Sequence, residues 1–129
     1  MTFAAKMIEE GRYTEAVQEA TRAFDRDQED PAPLFDRASA YAWLEQYPAA
    51  VRDLEAALAL DQEAGVLEVD VVDDAYFSAL LGVAKVEAQT STAAAIATLA
   101  RYRTVLPGGR HHDDAAAWSQ RLQADPDAN

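Results

Sequence analysis

Apolar residues recur at threes and fours along most of this chain, and the runs end at glycines, prolines or polar stretches, the signature of amphipathic helices. In residues 2–10, Phe3, Met7 and Ile8 share one face and Lys6, Glu9 and Glu10 another, predicting a short helix closed by Gly11. Thr14 to about Arg26 predicts a second, with Val17, Ala20, Ala23 and Phe24 on its stripe. Asp30-Pro31 sets a capping side chain before a proline that a first helical turn tolerates, opening a third helix to about Glu45 with Leu34, Phe35, Ala38, Tyr41 and Leu44. Pro48 opens a fourth in the same way, and Val51, Leu54, Ala57 and Leu58 carry it to about Leu60.

The pattern then breaks. Residues 61–72, DQEAGVLEVDVV, predict a long connection with room for a turn of helix in its first part, because Gly65 and the scattered acids fit no single stripe. A fifth helix is expected from Asp73, with Phe77, Leu80, Leu81, Val83 and Val86, fading into the polar QTST of 89–92. A sixth, from Ser91, presents Ala95, Ile96, Leu99, Tyr102 and Val105 and stops before Pro107. A last helix over 112–123 carries Trp118, Arg121 and Leu122, and the tail 124–129 is expected to fray. β-branched alternation never persists, so no strand is expected. The prediction is an all-α fold of about seven helices.

The second and fourth helices are written in similar letters. Tyr13 and Tyr47, Ala16 and Ala50, Val17 and Val51, Ala20 and Leu54, and Ala23 and Ala57 each stand 34 residues apart. One hairpin of two helices cannot bury both its faces, so stacked copies that share a core account for such a period.

A helix pair repeating at this interval resembles the tetratricopeptide repeat family. The first unit, 2–28, supplies Ala4, Met7, Gly11, Tyr13, Ala16, Ala20 and Ala23; the second, 31–61, supplies Ala38, Tyr41, Glu45, Tyr47, Ala50, Leu54 and Ala57, with Glu45 where the family often has a turn glycine. A divergent third unit, 73–107, shows Ala95, Ile96, Leu99 and Tyr102 at 45 residues after Ala50, Val51, Leu54 and Ala57. Eleven residues are thus added, and they map onto the 61–72 connection. Leu81-Gly82 looks like the family's Leu-Gly pair, shifted by one residue, Pro107 falls where the family often closes a unit, and the helix around Trp118 is similar to its solvating cap.

This resemblance implies a single domain, 1–129, folded as a short right-handed superhelix of antiparallel hairpins. It implies a non-enzymatic protein–protein interaction module, an adaptor or scaffold holding a peptide segment or partner protein in a concave groove. An acidic chaperone of a secreted or unstable partner, similar to those of bacterial secretion systems, and a self-assembling structural protein are the other expectations. The family lines its concave face with the first helix of each unit. That implies Phe35, Ser39 and Trp43 in the second unit and Phe77 and Leu80 in the third as partner-binding positions, unless some of them fill the interior of the stack. The family's carboxylate clamp of Lys and Asn does not carry over, since no Lys-x-x-x-Asn is present and the only Asn is Asn129.

Composition narrows the function classes. The length of 129 residues suits one domain, and a net charge of -12 argues against nucleic-acid backbones while leaving room for a basic partner or a homo-oligomer. Without cysteine there is no disulfide, thiolate zinc site or cysteine nucleophile. Lys6, Glu9, Glu10 and Arg12 interrupt any signal-peptide core, and no run reaches the ~20 apolar residues of a membrane span, so a cytoplasmic protein is expected.

Two clusters invite chemistry. His111 and His112 beside Asp113 and Asp114 look like ligands, but adjacent imidazoles lack the i, i+4 spacing of a helical zinc pair, and a helix start with acids at its positive end explains them. Glu68, Asp70, Asp73 and Asp74 lack the order of a calcium loop and read as solvated charge around a helix start or as a docking patch for a basic partner. Gly-rich phosphate loops and Gly-x-Ser-x-Gly elbows are absent. No catalytic residue, cofactor or metal is expected.

Overall fold

The computed structural model describes residues 1–124. Among them seven α-helices follow one another: α1 (Phe3–Glu9), α2 (Tyr13–Arg26), α3 (Ala32–Trp43), α4 (Tyr47–Ala64), α5 (Val69–Glu87), α6 (Thr92–Val105) and α7 (His112–Ala124). No described residue is in a strand, as the apolar periodicity predicts. Helices adjacent in sequence pack together, α1 on α2, α2 on α3, α3 on α4 and α6 on α7, and α1 also reaches α3. The chain divides into two compact units, Met1–Val72 and the residues from Asp73 onward.

The first unit is built on small residues. Ala16, Ala20, Ala38, Ala40, Ala50 and Ala57 are almost wholly buried, with Leu34 and Leu54 the larger side chains among them. Side chains this small let helix axes approach closely, which is why the repeated alanines fall at helix contacts. The turns repeat as well. Gly11 donates its amide to the Ile8 carbonyl (3.0 Å) and Arg12 to Met7 (2.8 Å); Glu45 donates to Ala42 (3.0 Å) and Gln46 to Tyr41 (2.9 Å), each bond shifted by 34 residues. Such a helix closure requires one left-handed residue, and Gly11 (φ 76°) and Glu45 (φ 58°) supply it.

Polar side chains also cross this unit. The Arg37 guanidinium on α3 donates two 2.8 Å bonds to Asp53 on α4 and a third, of 3.1 Å, to the Thr21 hydroxyl on α2. Thr2 caps α1 by accepting the Ala5 amide, and its hydroxyl donates to Asp36 on α3 at 2.7 Å.

The connection expected over 61–72 is much shorter. α4 continues to Ala64 and α5 starts at Val69, leaving only residues 65–68 outside helix. The reason is local. The Asp61 carboxylate, one of the scattered acids, accepts the amides of Val66 (2.7 Å) and Leu67 (3.0 Å), and Gly65 takes the left-handed conformation (φ 60°) that closes α4. Val72 is 1% exposed, and this burial outweighs the weak helix preference of the valine-rich segment.

In the second unit Tyr76, Leu80, Leu99 and Tyr102 are buried among Ala79, Ala84, Ala88, Ala95 and Ala115. Ser91 caps α6 by accepting the Ala94 amide at 3.1 Å. The capping helix expected over 112–123 is α7, and residues 125–129 of the expected frayed tail lie outside the described residues.

Candidate interaction surfaces

Phe35, Ser39 and Trp43 are spaced by four residues on α3 and so form one stripe, half-buried at the first two and 64% exposed at Trp43. The Ser39 hydroxyl donates to the Phe35 carbonyl at 3.0 Å, which turns it back onto its own helix. Phe35 borders an open groove of about 310 Å³ whose other walls are Val66, Leu67, Glu68, Val71 and Val72. Trp43 lies elsewhere along the stripe, stacked flat on Tyr13 with ring centres 5.4 Å apart and planes 5° apart.

Phe77 and Leu80, the other expected partner-binding positions, lie on α5 in the second unit. They are 8% and 1% exposed. The His111 ring covers Phe77 face to face at 4.7 Å, and Tyr102 meets its edge at 5.5 Å. The segment between α6 and α7 folds back over α5, so the partner-binding role expected of these two residues is corrected to a core role.

The four acids expected to form one patch also part company. Glu68 lines the Phe35 groove, and Asp70 is exposed in the first turn of α5. Asp73 is 3% exposed; it accepts the Tyr102 hydroxyl and the Arg110 amide (2.8 Å), with the Arg110 side chain 3.9 Å away. Burial, and donation to Asp73, push the Tyr102 hydroxyl up to about 12. Asp74 pairs with Arg110 at 2.6 Å and with His111 at 2.7 Å, and these bonds hold its carboxyl below the ordinary range.

His111 is therefore a bridge. Its amide donates to the Tyr102 oxygen (2.9 Å), and its ring nitrogens face Asp74 at 2.7 Å and Asp114 at 2.9 Å, which together raise its pKa, Asp74 more strongly. The His112 ring turns the other way, to the Leu106 carbonyl at 2.9 Å. Among the described residues no group of three or more His, Asp or Glu side chains is arranged to hold a metal ion. No buried side-chain polar atom there lacks a hydrogen-bond partner either. What remains unsatisfied is apolar surface.

Val66 and Val71, at 63 and 46% exposure, line the Phe35 groove, and Val69, 70% exposed, lies between them in sequence. A larger opening of about 500 Å³ between α6 and α7 is lined by Tyr102, Arg103, His112, Ser119 and Gln120 with several alanines, and no large exposed apolar side chain borders it. The valines and the Arg37–Asp53 pair escape sequence reading because their partners sit many residues away. Only the loss of helical register at 61–72 marks the place.

No protein-family model, curated protein or solved structure matches this chain.

Proposed function

We propose that the protein is a non-enzymatic interaction module of the tetratricopeptide type, an adaptor or scaffold that binds a peptide segment of a partner protein along the α3 stripe. The observation that carries this reading is the open apolar groove bounded by Phe35, Val66, Leu67, Val71 and Val72. Clustered β-branched side chains left in water mark binding sites more often than chance exposure. Each large side chain a partner buries here contributes about 1.5–3 kcal/mol before ordering costs, so a few such contacts support micromolar affinity. Glu68 on the groove wall and the net charge of -12 favour a segment that places Lys or Arg beside an apolar residue. The 34-residue period, present in both side chains and turn hydrogen bonds, supports the family reading.

Selection from a displayed random-peptide library tests it. Recovered peptides should be apolar and basic, and Phe35→Ala or Val71→Ser should weaken them about tenfold or more, close to 1.4 kcal/mol. Trp43→Ala should also weaken peptides that extend along the stripe, with little change in melting temperature. Peptides that bind Phe35→Ala and Val71→Ser as tightly as the parent would refute the groove as the site.

A further inference from the structure

We propose that the protein assembles with copies of itself, the start of α5 in one copy seating in a small cationic pocket between α5 and α7 of the next. The pocket shares no residue with the peptide groove, while Glu68 of the docking segment also lines that groove. The pocket, about 50 Å³, is lined by Leu81, Ala84, Ala88, Trp118 and Leu122 together with Lys85 and Arg121. The Lys85 ammonium stands 5.1 Å from the centre of the Trp118 ring and the Arg121 guanidinium 4.9 Å. Among the described residues neither cation is paired with a carboxylate within the chain. A cation over an aromatic face keeps donors free for a carboxylate, so this site selects an aliphatic side chain with an acid next to it.

The size of the pocket agrees. One water-sized group takes about 10–15 Å³ on this measure, so the pocket accepts about four, enough for the head of a valine. The chain displays that chemistry itself. Val69, 70% exposed, opens α5, and exposed Glu68 precedes it. A copy cannot serve its own pocket, because Val69 begins α5 and Lys85 lies in its last turn, about 24 Å along the helix.

Charge sets the orientation. Copies carrying a net charge of -12 repel one another except where acid meets cation, and Lys85 with Arg121 is such a place. The contact joins unlike surfaces, so it propagates into rings or open chains instead of ending at a dimer.

Light scattering on the full chain tests this. The mean mass should rise with concentration between about 10 µM and about 1 mM, and fall back when salt screens the contact. Lys85→Glu/Arg121→Glu and Glu68→Lys should each weaken association about tenfold or more while keeping the parent's circular dichroism. An equimolar mixture of the two should recover assembly, since each then meets an opposite charge. Phe35→Ala should leave assembly unchanged, which separates this contact from the peptide groove. A monomer across the whole range would give the pocket to another protein's acidic segment and overturn the proposal. Charge variants that assemble like the parent, or a mixture that stays monomeric, would overturn it as well.

Discussion

Glu45 adopts a φ of 58° where Gly11, its counterpart in the preceding turn, adopts 76°. A residue with a Cβ pays about 1–2 kcal/mol in the left-handed region, while glycine gives up about 0.5–1 kcal/mol through its freer unfolded chain. Glu45→Gly should therefore raise stability by about 0.5–1 kcal/mol in urea unfolding, and an unchanged or lower midpoint would contradict the strain. Gly109 is constrained differently: a Cβ there would run into the Tyr102 hydroxyl. At this scale the sequence shows Gly11 plainly and hides Glu45. The 34-residue period aligns the two positions, and the repeated turn bonds show that Glu45 takes the same left-handed turn.

Among the helices, the apolar stripes of α2, α3 and α4 are legible in the sequence because contacts at threes and fours are local. The pairing of Arg37 with Asp53 is not, because it joins α3 to α4 through side chains 16 residues apart. Asp53 is 7% exposed, and burial of its carboxylate is tolerated by virtue of the two guanidinium bonds. Arg37→Met should cost about 2–4 kcal/mol by leaving that charge uncompensated, and Arg37→Met/Asp53→Leu should recover much of the loss. Amide exchange on the full chain reads this out, with protection falling in Met1–Val72. A single variant that unfolds at the parent's urea midpoint would deny the pair its role. The acids of 61–72 teach the same lesson in reverse, since Asp61 breaks the apolar pattern and yet completes the helix end through its side chain.

For the whole molecule, pH is the informative variable. Between about pH 6 and 8 the side chains with ordinary values in range are histidines, and there are two. His111 faces Asp73 and Asp74 from α5, Asp114 from α7 and the neighbouring Arg110. Its pKa is raised in the fold, so its contribution is complete below the ordinary value of about 6.5 and lost as pH climbs through the raised one. Asp74, held low by His111 and then Arg110, contributes above the ordinary carboxylate range and loses that contribution in acid. Melting temperature should therefore decline from pH 6 to pH 8, and His111→Gln should flatten the decline. An equal slope in the variant would show that the bridge carries no linkage.

By itself the sequence determined the helical fold class, most of the helix positions and the 34-residue period, since each follows from the spacing of apolar and small residues along the chain. Tertiary structure alone decided which side chains are accessible. Phe35, Trp43 and Phe77 look alike in a helical pattern, yet the first borders an open groove, the second stacks on Tyr13, and the third lies beneath His111. Asp73 and Glu68 are equally acidic in the sequence, but a returning loop buries one and leaves the other in water. Periodicity reports which face of a helix is apolar. Whether that face is covered depends on chain segments tens of residues away, and so it emerges only when the helices pack.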